Sequence, residues 1–132
     1  MPKAFQLNLR LQNNPGTLAK LCRDLADRGV NLLAHSAPEI SAQRGPIRLL
    51  VANPKLAERR VADAGYSFKI EEVLFVALKN RPGALAKAME KLARAGINVK
   101  YSYATAYPKG RKTGVVIAVA DEDLPRALRL LG

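Results

Sequence analysis

The chain contains one 19-residue phrase twice: NNPGTLAKLCRDLADRGVN from Asn13 to Asn31, and NRPGALAKAMEKLARAGIN from Asn80 to Asn98. Every aligned pair stands 67 residues apart and 10 of the 19 positions are identical, among them Asn13/Asn80, Pro15/Pro82, Gly16/Gly83, Gly29/Gly96 and Asn31/Asn98. A period of 67 in a chain of 132 residues divides it into two similar units, each near the smallest size that folds alone. A period of about 34 residues would indicate stacked helical repeats, whereas two copies of a unit this long indicate paired globular domains.

Each unit shows the same change of hydrophobic period. In the first, Phe5, Leu7, Leu9 and Leu11 alternate with Gln6, Asn8, Arg10 and Gln12, which predicts a strand with one buried face. Leu18, Leu21, Cys22 and Leu25 then recur at three and four residues, predicting an amphipathic helix that starts at Pro15 and stops at Gly29. VNLLAHSAPEIS and PIRLLVA flank AQRG as a hairpin, PKLAERRVADAG forms a second helix and YSFKI returns as a strand. The second unit reads VLFVALK, a helix from Pro82 to Ala95, INVKYSYATAY, the turn PKGRKTG, VVIAVA, and a helix in DEDLPRALRLLG, with no last strand. Right-handed crossovers with both helices on one sheet face make this an α+β chain of two ferredoxin-like βαββαβ units in tandem, residues 1–70 and 71–132, the second short of its final strand. The joining stretch YSFKIEEVLFVALK has neither Gly nor Pro, so no flexible linker is expected and the two units are expected to pair about a pseudo-twofold.

Composition narrows the function. A 48% hydrophobic content suits an ordinary globular core, and Met1 to Gln12 has no apolar stretch of signal-peptide or membrane length, so a cytoplasmic protein without membrane association is expected. The single Cys22 reads as a small buried hydrophobe, and with only His35 beside it in the inventory no zinc spacing exists; metals and cofactors are not expected. The net charge of +11 is spread over both halves, 10 basic against 5 acidic residues up to position 66 and 12 against 6 beyond it. A spread charge does not outline a nucleic-acid groove. The one dense cluster is PKGRK, Pro108 to Lys112, at a turn.

Strand, N-x-P-G, helix and then G-[V/I]-N-[L/V] opening the next strand resembles the ACT domain. With NRPGALAKAMEKLARAGINVKYSYA in its second half, the tandem layout is similar to small stand-alone double-ACT proteins, and the resemblance covers essentially the whole chain. It implies a non-catalytic regulatory module that binds a free amino acid at an interface between two ACT units and passes the occupancy to an enzyme or regulator partner. In serine-sensing ACT domains it implies ligand contacts at the two asparagine positions, the second reaching across from the partner copy.

The chemistry of such a site can be argued from the residues. An amino acid needs donors for its carboxylate, and a helix N-terminus supplies unpaired N–H groups and positive potential. The N-x-P-G turn builds one twice: Asn80, Arg81, Pro82, Gly83, Ala84 and Leu85, with Asn98 across the interface; and Asn13, Asn14, Pro15, Gly16, Thr17 and Leu18, with Asn31. Gly16 and Gly83 let a ligand approach the backbone, and the asparagine amides donate and accept at once. Asparagine before Pro-Gly is equally a turn residue, so each asparagine also has an architectural reading. A ligand-free scaffold or regulatory subunit is therefore the alternative function.

Other classes fit less well. GRKTG lacks the upstream glycine of a P-loop, no G-x-G-x-x-G occurs, and Glu71 and Glu72 are adjacent on a strand and point to opposite faces, so no catalytic set is expected. Tyr101, Tyr103 and Tyr107 lie at even spacing on one strand, as base-stacking rings would, but share parity with Ile97 and Val99, which assigns them to the face that carries the core or the domain interface and argues against nucleic acid. The helix-free face of the first unit shows Gln6, Asn8 and Arg10, while that of the second shows Val73, Phe75, Ala77, Val116 and Ala118. An uncovered apolar patch of that kind predicts a homodimer or higher oligomer, the alternative being that the chain folds its first unit over the patch.

Overall fold

The computed structural model describes residues 3–12, 14–38, 44–105 and 110–132. Asn13, Tyr107, Pro108 and Lys109 lie outside the described residues. Elements follow the order β1 (Lys3–Gln12), α1 (Thr17–Asp27), β2 (Leu32–Ser36), β3 (Arg44–Val51), α2 (Pro54–Asp63), β4 (Lys69–Lys79), α3 (Ala84–Arg94), β5 (Val99–Thr105), β6 (Lys112–Val119), a 3-10 turn at Asp121–Asp123 and α4 (Leu124–Leu131). Two compact units result, Phe5–Glu71 and Glu72–Gly132, the latter also taking Lys3 and Ala4. The strand expected to end the first unit and the one expected to begin the second are a single strand, β4.

In the first unit β1 and β2 flank β3, all antiparallel, and the start of β4 lies beside β1. Alternation sends Leu7 and Leu9 of β1 and Ile47, Leu49 and Val51 of β3 to one face, where Leu21 and Leu25 of α1 and Ala57 and Val61 of α2 close the core. In the second unit β6 lies between β4 and β5, again antiparallel. There Leu74, Val76, Val115, Ile117 and Val119 meet Leu92 of α3 and Leu124 and Ala127 of α4. Each unit thus has the expected α+β layering, with its helices on one sheet face.

Three local expectations need correction. Helices α1 and α3 begin at Thr17 and Ala84, two residues after the prolines, because Gly16 and Gly83 have φ of 87° and 89° and cannot be helical. Cys22 is exposed: α1 is rolled so that half-buried Thr17, Asp24 and Arg28, not Cys22, flank Leu21 and Leu25. The tyrosines change face. Val99 pairs with Val119 but Tyr101 with Ala118 and Tyr103 with Val116, a register shift between Val99 and Tyr101. One extra residue in β5 inverts the alternation, so Tyr101 and Tyr103 share the helix-free face with Val116 and Ala118. The same bulge separates Leu32 and Ala34 in the first unit.

The helix-free faces also differ from expectation. In the first unit Gln6 is fully buried, its amide donating to Glu71 Oε1 at 3.2 Å while Asn8 donates to the same oxygen at 2.9 Å. In the second unit Val73, Val116 and Ala118 are 1%, 1% and 3% exposed in the single chain, so no open apolar patch of five side chains exists there. The ring of Phe75 covers Gly114, where an added Cβ would lie 2.6 Å from it.

Candidate functional site

The repeated turn has one construction in both units. Thr17 N–H donates to Asn14 C=O at 3.1 Å and Ala84 N–H to Arg81 C=O at 3.3 Å, each closing a four-residue turn whose third position is Gly16 (ψ −11°) or Gly83 (ψ −15°). These are the angles of the third residue of a type II turn, which glycine adopts without a Cβ penalty. Neither helix receives a side-chain cap, so the N–H groups of its first turn beyond Thr17 and Ala84 face outward with the positive end of the helix dipole. Nothing lies within 4 Å of where a Cβ would stand on Gly16 or Gly83, so the approach to both backbones is open.

The predicted site residues divide into two groups. Asn14, Pro15, Gly16, Arg81, Pro82 and Gly83 are exposed at the turns, Thr17, Leu18 and Ala84 are half-buried, and Leu85 is 49% exposed. Asn31 and Asn98 are exposed at the starts of β2 and β5, past the C-terminal ends of α1 and α3. Each helix has 11 residues, about 16 Å of axis, so a single unit holds its two asparagine positions at opposite ends. The structure does not bring Asn80 and Asn98 together within their unit. Asn80 is also already engaged: its side-chain amide donates to Gly110 C=O at 3.0 Å and its N–H to Arg111 C=O at 2.8 Å. The basic turn before β6 is thereby tied to the N-x-P-G turn.

Beside α1 lies a groove of about 410 Å³ lined by Arg10, Thr17, Lys20, Ala64 and Tyr66 among others. Sequence reasoning did not single out its polar centre. Tyr66 Oη donates to Asp24 Oδ2 at 2.6 Å, and Lys20 Nζ donates to the same oxygen at 2.8 Å while standing 5.9 Å from the Tyr66 ring centroid. The Lys20 hydrogen bond, then that of Tyr66, lowers the Asp24 pKa below 3.8. Desolvation, then the Asp24 carboxylate, raises that of Tyr66 above 10.0. Among the described residues no group of three or more His, Cys, Asp or Glu could hold a metal ion, and no helix is long and apolar enough to cross a membrane.

A family model described as an ACT domain pair matches residues 3–128. The chain belongs to the ACT domain pairs. Among solved structures this ACT pair is similar to a protein from Bacteroides thetaiotaomicron, with 30% identity, a TM-score of 0.86, and coverage of 98% of this chain and 87% of that one. It shares its fold with the regulatory subunit of aspartate kinase from Thermus thermophilus in ligand-free form (18% identity, TM-score 0.67, 96% and 89% of the two chains). The same holds for the regulatory subunit of aspartate kinase from Thermus flavus (19%, 0.66, 99% and 91%). No curated protein matches it in sequence.

Proposed function

We propose that this ACT pair is a non-catalytic cytoplasmic sensor that binds a free amino acid and reports the occupancy to another protein, an enzyme or a regulator. The observation that carries the reading is the twice-built N-x-P-G turn, where an uncapped helix N-terminus and an open glycine backbone present donors suited to a carboxylate. Asn31 and Asn98 lie a helix length from those turns, so a ligand held by both asparagine positions requires a second ACT unit facing the first, and a homodimer supplies it. Chains of this fold that serve as regulatory subunits of aspartate kinase support a regulatory role. The exposed free thiol of Cys22 suits a reducing compartment.

Thermal-shift titration with the twenty amino acids tests this, because a ligand of the folded state raises Tm by mass action. The expected result is a rise with one or a few of them, lost in Asn98→Ala, and a dimer by light scattering in their presence. If none moves Tm, the chain is a ligand-free regulatory subunit, a reading that the engagement of Asn80 by Gly110 would then favour.

A further inference from the structure

The second unit carries a groove of about 280 Å³ at the place that, by the 67-residue offset, corresponds to the Lys20–Tyr66 groove of the first: Ala77, Leu78, Lys79, Arg81, Ala84 and Lys87 line it where Arg10, Leu11, Gln12, Asn14, Thr17 and Lys20 stand in the first unit. Its chemistry is inverted. In the first unit Lys20 is paired with Asp24 one helical turn on. In the second that acid is replaced by Lys91, which lines the groove below Lys87. Gln12 and Asn14 become Lys79 and Arg81. Four cations therefore face one concavity whose lining includes no acid, and none of the four forms a salt bridge among the described residues.

The i,i+4 Lys87–Lys91 pair is repulsive, although Lys91, in the last turn of α3, gains from the negative end of the helix dipole. The dipole does not provide a counter-charge for the groove: four like charges surround one concavity with no acid in its lining. Negative charge from outside would supply it. A single carboxylate would neutralise one of the four cations, whereas a diphosphate brings several charges, paired acceptor oxygens for the planar fork of Arg81 and point-charge contacts for the three lysines. The volume, at the small end of ligand pockets, admits a compact molecule. We infer that the groove between β4, α3 and Leu131 of α4 binds a small phosphorylated molecule carrying at least two negative charges. It shares Arg81 and Ala84 with the amino-acid site proposed above but rests on Lys79, Lys87 and Lys91, which that site does not use.

The test is titration of the full chain with inorganic pyrophosphate at low ionic strength, followed by calorimetry and thermal shift. Pyrophosphate should raise Tm progressively with its concentration, and Lys91→Asp, which puts the first unit's acid in the groove, should weaken the affinity by about tenfold or more. Lys79→Gln, the first-unit residue at that place, should weaken it as well and serves if Lys91→Asp folds poorly. No pyrophosphate response in the parent chain, or an undiminished response in both variants, would overturn the assignment. Tighter binding of a single-stranded oligonucleotide than of pyrophosphate, abolished by the same substitutions, would replace the small molecule with nucleic acid and overturn it too. Titration of the parent chain with amino acids alone decides the other site, so the two readings fail separately.

Discussion

Tyr66, expected only as the start of a returning strand, donates its hydroxyl proton to Asp24 across 42 residues at 2.6 Å, joining the end of α2 to α1 within the first unit. The carboxylate also receives Lys20, and its pKa is depressed below 3.8, chiefly by that Lys20 hydrogen bond. Between the folded and the unfolded Asp24 values the unfolded chain binds more protons, so stability is present above the ordinary carboxylate value and falls as pH drops through the depressed one. Asp24→Asn should lower Tm at neutral pH and lose this acid-side step. The raised Tyr66 pKa has the opposite sign: its stabilisation holds below 10.0 and is lost as pH rises through the raised value, a step that Tyr66→Phe should lack. Thermal melts from acid to alkaline pH check both.

Gly16 and Gly83 sit at φ of 87° and 89°, with nothing within 4 Å of where an added Cβ would stand. Alanine there should therefore cost only the left-handed conformational term, about 1–2 kcal/mol each. Denaturant melts of Gly16→Ala and Gly83→Ala measure it. A stabilising effect would show that the turn relaxes to a different conformation.

Gly114 lies under Phe75, whose ring atoms are 2.6 and 2.7 Å from the position of an added Cβ. Gly114→Ala should destabilise by about 1–3 kcal/mol through overpacking. Combined with Phe75→Leu, which removes the obstructing ring edge, it should cost less than the sum of the single changes, a coupling of about 0.5 kcal/mol or more in a double-mutant cycle.

Asn80 and Asn98 should part company in the unliganded protein. Asn80→Ala removes the bond to Gly110 C=O and should lower stability by about 0.5–1.5 kcal/mol. Asn98 is exposed, and Asn98→Ala should stay within about 0.5 kcal/mol of the parent. Urea melts of the two variants side by side give the comparison.

The duplicated phrase, its change of period from two to 3.6, and the paired N-x-P-G and G-[V/I]-N signals determined two α+β units and the sequence of helices and strands within each, though not the positive φ of Gly16 and Gly83 that keeps Pro15 and Pro82 out of the helices. Those features depend on residues close together in the chain: turn signals and a stripe of leucines one turn apart. What tertiary structure alone decided depends on phase and on distant partners. One bulged residue between Val99 and Tyr101 moved two tyrosines to the opposite face, and parity counting cannot register it because the backbone, not the side-chain pattern, supplies the extra step. The roll of α1 that exposes Cys22, and the bond from Asn80 to a turn 30 residues away, follow from packing against elements that no local window contains. The four cations of the second-unit groove were each present in the sequence. Only the folding of β4 against α3 and α4 places them around one concavity, and only comparison with Lys20 and Asp24 in the first unit shows which of them lacks its acid.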